Sequence, residues 1–216
     1  MLIEFSYYDI STSENELKDI VKDTLKYRVN YMSVLPQYVR TAKSIVSSET
    51  KISCPIDYPL GLFDTKSRLS AIELCIKSGI NCIEVVCPSY FLCNRKYDKF
   101  RDDIKSIVGL CADKNVEVRY FLEYRVYKYE LLYKIAQILL GLGVSTVMPS
   151  TGYLLDDIND NILASGLINK KVPKINIVCN GNVWLDQQVK VIKKANLYGI
   201  RVNSINALEL LDKNNE

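Results

Sequence analysis

Two segments end apolar runs in small polar residues and glycine: Thr146-Val147-Met148-Pro149-Ser150-Thr151-Gly152 and Ile175-Asn176-Ile177-Val178-Cys179-Asn180-Gly181. A barrel strand that meets a ligand ends this way, because small side chains let an anion or substrate approach the backbone. Ser150, Thr151 and Gly152 read as ligand residues on that ground. Gly181 and Asn182 read either so or as an ordinary turn. Glu4, Glu84, Arg119 and Glu123 fall in strand-like runs facing partly inward. They make either a charged ligand site in a barrel mouth or a buried salt-bridge network, with Glu84 and Arg119 the expected pair. The chain has no histidine. Histidine triads and the usual general base are thereby excluded, and acid–base chemistry falls to Asp, Glu, Lys, Tyr or Cys. Cys87 and Cys179 stand near strand ends, but with no histidine or clear cation beside them they read as packing residues.

These residues need strands to carry them. Eight β-branched segments alternate with stretches of helical period: Leu2–Ser6, Tyr31–Leu35, Lys51–Pro55, Cys82–Cys87, Glu117–Glu123, Thr146–Pro149, Lys174–Cys179 and Ile200–Ser204. The helical stretches are expected at Glu14–Lys26, Gln37–Val46, Thr65–Ser78, Lys96–Lys114, Tyr129–Gly141, Asp156–Gly166, Gln187–Tyr198 and Ala207–Asp212. Ser11-Thr12-Ser13-Glu14 has the grammar of a helix start, and Gly79, Gly143 and Gly199 sit where helices should stop. Eight such units, with no Gly-x-Gly-x-x-Gly after the first strand, favour a (β/α)8 barrel in the α/β class over an open doubly wound sheet. No Pro/Gly/Ser-rich linker divides residues 1–216, so one domain is expected. In a barrel the chemistry belongs at the strand C-terminal ends; Lys51 and Lys174 fall at strand beginnings, on the opposite face.

Composition narrows the function classes. The 28 basic and 25 acidic residues are spread along the chain, and their net charge of +3 makes no concentrated basic face for nucleic acid. No apolar run approaches the ~20 residues of a membrane span, and the N-terminus lacks a signal-peptide pattern, so a cytoplasmic location is expected. Seven cysteines, an odd number, read as reduced thiols. Without histidine or a Cys-x-x-Cys pair no metal site is expected, and no cofactor motif is present.

Several segments, in order, resemble the deoxyribose-phosphate aldolase family of class I lyases. Ile3-Glu4-Phe5-Ser6 is similar to its opening Ile-Asp-His-Thr strand, and Ser33-Val34-Leu35-Pro36-Gln37-Tyr38-Val39 to its second strand. Tyr58-Pro59-Leu60-Gly61 resembles its Phe-Pro-Leu-Gly loop, Ile83-Glu84-Val85-Val86 its Ile-Asp-Val-Val strand, and Ser150-Thr151-Gly152 its Ser-Thr-Gly turn. The resemblance runs from about Ile3 to Ser204 and implies a TIM barrel. It also implies a carbon–carbon lyase acting through a lysine Schiff base on a small phosphorylated sugar or aldehyde.

This chain departs from the family at the chemistry. The nucleophilic lysine falls on Met148 and the lysine that tunes it on Val178. The two proton-transfer carboxylates become Glu4 and Glu84, each a methylene longer than aspartate, and a third lysine becomes Arg119, which stays cationic but cannot act as a base. The phosphate turns read Gly181-Asn182 and Asn203-Ser204, and a lysine that often follows Ser-Thr-Gly is Tyr153. The resemblance therefore implies a catalytic set of Glu4, Glu84 and Arg119, and a phosphate set of Ser150, Thr151, Gly152, Gly181, Asn182 and Ser204. Three outcomes are open: a degenerate relative with a phosphorylated-ligand pocket; an active lyase with a relocated lysine or glutamate-based acid–base chemistry; a non-catalytic subunit in a homodimer or hetero-oligomer.

Overall fold

The computed structural model describes residues 1–154 and 157–214. Eight parallel strands close on themselves in sequence order: β1 (Leu2–Tyr7), β2 (Tyr31–Val34), β3 (Lys51–Ile56), β4 (Cys82–Val86), β5 (Glu117–Phe121), β6 (Thr146–Met148), β7 (Asn176–Asn180) and β8 (Gly199–Val202). The seam is made by β1 and β8, with Leu2 opposite Gly199 and Glu4 opposite Arg201. Around the barrel lie α1 (Glu14–Thr24), α2 (Val39–Lys43), α3 (Thr65–Ser78), α4 (Ser89–Cys93), α5 (Tyr97–Ala112), α6 (Tyr129–Gly141), α7 (Ile158–Lys171), α8 (Asp186–Lys194) and α9 (Ile205–Lys213).

Each strand splits its side chains by period two. Outward-facing Phe5, Met32, Val34, Ile52, Cys54, Ile83, Val85, Tyr120, Val147, Ile177, Cys179, Ile200 and Val202 join the helices in one apolar core. The alternate residues fill the lumen, and they are of another kind: Glu4, Ser33, Ser53, Glu84, Arg119 and Arg201, all buried. One inward position nearer the C-terminal ends come Val86 on β4 and Phe121 on β5, packed with Met148 and Val178. The lumen is therefore layered, charge below and hydrocarbon above. Cys87 and Cys179 are both buried, as packing residues should be, and burial pushes the Cys87 thiol above its ordinary range.

Local signals explain most boundaries. Ser13 caps α1 through a capping box with Glu16, the Ser13 Oγ accepting from Glu16 N–H and the Glu16 carboxylate accepting from Ser13 N–H. Gly79 ends α3 in the left-handed region at φ +89°. Other expectations are corrected. Gly199 opens β8 and does not cap a helix. Strand seven begins at Asn176 because Ile175 N–H still closes a turn on Val172 O. Gly166 does not stop α7, whose buried face reaches Ile168 and whose last residue is Lys171; Asp156, its expected first residue, lies outside the described residues. Helix α4 has only five residues, too few to show a period in sequence.

Candidate active site at the C-terminal mouth

The lumen charges are tied together. Arg119 Nη1 donates to Glu4 Oε1 at 2.5 Å, and Arg201 Nη2 donates to Glu4 Oε2 at 2.7 Å. Arg201 also donates to both Glu84 oxygens, Nη1 reaching Oε2 at 2.7 Å. Ser33 Oγ donates to Glu84 Oε2 at 2.8 Å, and Tyr8 O–H reaches the same oxygen at 3.2 Å. Below, the Arg119 Nε donates to Glu117 Oε1 at 2.8 Å, and its guanidinium lies 4.0 Å over the Tyr31 ring. Glu84 and Arg119 are register neighbours, yet the expected pair is exchanged: Glu84 takes Arg201, and Arg119 takes Glu4. Burial alone would push the Glu84 carboxyl up; the Arg201 guanidinium, with Arg119 behind it, outweighs burial and holds it at about 2. Burial and the Glu84 charge raise the Tyr8 hydroxyl well above the ordinary tyrosine range. Glu84 is thereby held ionised, and Tyr8 neutral, at neutral pH.

The strand that carries Arg201 is visible in sequence, but Arg201 is not among the residues that the resemblance implies for the site. The signal was there: an arginine between Ile200 and Val202, on the inward face of an alternating strand.

A buried arginine positions the loop between β3 and α3. Arg68 donates through Nη2 to Asp57 at 2.6 Å and through Nη1 to Asp103 at 3.0 Å, with a further bond from Nη2 to Val86 O at 3.1 Å. Asp57 in turn accepts from Leu62 N–H and Phe63 N–H. At Gly61, φ +66°, an added Cβ would overlap the Cys87 carbonyl oxygen, so the loop is drawn against β4. The loop holds Tyr58 over the lumen: its ring centroid lies 4.9 Å from Tyr8 and 5.9 Å from Phe121, and its hydroxyl donates to Thr151 O at 3.0 Å.

Above the apolar layer a cavity of about 510 Å³ opens at the strand C-terminal ends. Thr151, Gly152, Gly181 and Asn182 line it with Ser6, Tyr8, Asp9, Tyr58, Phe121, Asn161, Asn180, Arg201 and Asn203. Ser150 and Ser204 do not. Ser150 is buried and donates to Asn161 Oδ1 at 3.1 Å, and Ser204 Oγ accepts from Ala207 N–H as the cap of α9. Glu123, just beyond β5 at φ +57°, turns its carboxylate back to accept Thr151 N–H. Gly181 N–H is likewise used, by Arg201 O at 3.2 Å. Asn180 donates through Nδ2 to Ser150 Oγ at 3.3 Å, while its Oδ1 is buried without a partner, at a cost of about 1–3 kcal/mol. A second cleft of about 800 Å³ lies around Leu2, Asn176 and Tyr198, at the strand beginnings. It is larger, but among the described residues Arg28 and Asp212 are the only charged side chains that line it, and barrel chemistry sits at the opposite end.

Met148 and Val178, the two positions of the lysines that the resemblance implies, are fully buried and share one apolar cluster with Val86 and Phe121. No lysine lines the cavity, and no lysine among the described residues is buried. Among those residues no group of three His, Cys, Asp or Glu side chains is placed to hold a metal ion.

No protein-family profile matches the chain. Curated relatives do. It is 22% identical over 198 residues to the deoxyribose-phosphate aldolase of Mycoplasmopsis pulmonis, covering 91% of this chain and 88% of the relative. It is 31% identical over 127 residues to that of Bdellovibrio bacteriovorus, covering 57% of each, and the match to that of Metamycoplasma hominis spans 65% of that relative. The chain is thus similar to deoxyribose-phosphate aldolases over most of its length. Solved structures share the family barrel at lower identity: an aldolase called QR15 superposes with a TM-score of 0.88 at 20% identity, over 98% of this chain and 95% of that one. The tetrameric deoxyribose phosphate aldolase of Aeropyrum pernix gives 0.83 at 16%, over 99% and 89%.

Proposed function

We propose that this protein is a deoxyribose-phosphate aldolase relative that has given up Schiff-base chemistry and keeps its barrel mouth as a binding site for a small polar ligand. The observation that carries this reading is the apolar layer of Val86, Phe121, Met148 and Val178. A Schiff-base lysine needs an amine desolvated in the pocket beside another cation. Hydrocarbon occupies both lysine positions, and every lysine of the described residues lies at the surface or only partly covered. The carboxylates offer no substitute, because Glu4 and Glu84 are fully buried and neutralised by Arg119 and Arg201. A general base must reach the proton it takes; these two are occupied.

The test is borohydride trapping with 2-deoxyribose 5-phosphate, read by intact mass and peptide mapping beside an active aldolase. No adduct is expected. A stable adduct on one lysine would overturn the reading and name the nucleophile.

A second reading, a non-catalytic subunit, has its own support. Leu60, Leu62 and Phe63, then Tyr153 and Leu154, then Trp184 and Leu185 are all exposed on loops at the C-terminal face. Exposed apolar residues gathered on one face mark interaction surfaces. Light scattering of the purified chain alone and in mixtures with candidate partners tests it, a lone monomer throughout counting against it.

A further inference from the structure

We propose that Cys54 and Cys75 are an oxidation site, a dithiol that a peroxide converts to an internal disulfide pinning α3 to β3 at the two stems of the loop that carries Tyr58. The proposal is independent of what the mouth binds.

The barrel, not the spacing in sequence, brings these two sulfurs together. Cys54 lies in β3 among the residues of the apolar core between strands and helices. Cys75 lies on the buried face of α3, one turn beyond Ile72. Where α3 packs on β3 the two Sγ atoms stand 3.6 Å apart, both free thiols in hydrogen-bond contact. A disulfide holds its sulfurs about 2 Å apart, so a bond asks them to close by about 1.5 Å. Between them in the chain come Asp57, Tyr58, Gly61 and Arg68, the residues that shape and anchor the loop at the mouth. A covalent link from Cys54 to Cys75 closes that whole segment into a ring, and a closed ring has fewer open conformations to visit.

The pair also divides the steps of a thiol oxidation. Cys54 is fully buried, whereas Cys75 keeps 3% of its surface, so Cys75 is the sulfur that a small oxidant meets first. A hydrogen bond from the Cys54 thiol draws the Cys75 thiol below its ordinary range, while the same contact, with burial, raises Cys54. The thiolate is the nucleophile. The Cys75 sulfur attacks one oxygen of hydrogen peroxide, the O–O bond breaks, and the departing hydroxide leaves as water with the Cys75 proton. The Cys54 sulfur then attacks the Cys75 sulfenic acid; the S–O bond breaks, and the hydroxyl leaves as water with the Cys54 proton. Two thiols lose two electrons, and one peroxide becomes two waters. A small dithiol reverses the bond by exchange.

The experiment treats the intact, fully reduced protein with hydrogen peroxide, alkylates the remaining thiols in denaturant, and reads intact mass and tryptic peptides. The seven alkylatable thiols should fall to five, with residues 52–66 joined to residues 69–77, and dithiothreitol should restore all seven. In the oxidised protein, amide exchange at Leu62 and Phe63 should slow by about threefold or more. Cys54→Ser removes the second sulfur and should leave Cys75 as a sulfenic acid that dimedone traps. The linked peptides are read in the parent protein, so the result does not depend on how either variant folds. Oxidation confined to Cys93, the exposed cysteine, overturns the proposal, as does a link between other cysteines or a full set of free thiols after excess peroxide. A link that leaves exchange at Leu62 and Phe63 unchanged overturns the pinning of the loop.

Discussion

Arg201 holds two carboxylates at once, and its removal has a computable consequence. Arg201→Met would strand Glu84 in a site with no water to solvate it; Glu4 would keep Arg119. Breaking a buried pair from one side costs about 3–5 kcal/mol, whereas replacing both partners by packed hydrocarbon is often near neutral. Denaturation of Arg201→Met and of the double variant Glu84→Met/Arg201→Met should therefore show the double variant losing less than the sum of its single changes. Additive losses would sink the assignment of these residues as one unit. The acid limb of stability follows from the same pair. The Glu84 carboxyl falls from an ordinary 4.5 to about 2 on folding. Its contribution is thus complete above about pH 4.5 and is lost as pH falls toward 2, on the order of 3 kcal/mol in all. Urea midpoints measured between pH 6 and pH 2 should fall over that window, and Glu84→Gln should flatten the fall.

Elements depend on buried polar ties as much as on apolar packing. The segment from Asp57 to Asp64 has no regular structure, but Arg68 and Asp103 anchor it and thereby place Tyr58 over the mouth. Asp57→Asn keeps a side chain that tolerates the φ of +57°, and removes the charge together with one of the two acceptor oxygens. It should cost about 2 kcal/mol and speed amide exchange at Leu62 and Phe63, the two N–H groups that Asp57 accepts from. Unchanged exchange would mean that the loop is held by its apolar contacts instead. On the opposite side of the mouth, Glu123→Gln preserves an acceptor for Thr151 N–H and discharges the turn. Inorganic phosphate titrated by NMR should then bind more tightly than it does to the parent, by a few-fold.

At the scale of the whole molecule, closure of eight strands brings residues far apart in sequence, such as Glu4 and Arg201, to hydrogen-bond distance. Among the described residues no helix is long and apolar enough to cross a membrane. The apolar C-terminal rim predicts a surface that binds hydrophobic dye in the folded state; substitution of Leu62, Phe63 and Trp184 by serine should abolish most of that signal without lowering the melting temperature. Absence of dye binding by the parent would count against an interaction face. Much of this architecture was legible in the chain. Eight alternating units, the Ser13 cap and the Gly79 stop depend on local propensity and period, which a sequence displays directly. The sequence alone also places Met148 and Val178 where the resemblance implies lysines, since that needs only the ordered motifs around them. What the sequence could not show is which charges meet. Glu84 and Arg119 looked like partners, and strand register makes them neighbours, but the lumen geometry gives Glu84 to Arg201 across the barrel. The use of Thr151 N–H by Glu123, the bridge of Tyr58 to Thr151 and the orphaned oxygen of Asn180 are likewise decided by the tertiary structure. Partner choice inside a closed barrel depends on three-dimensional distance and on which groups have already been satisfied, and neither quantity is local in sequence.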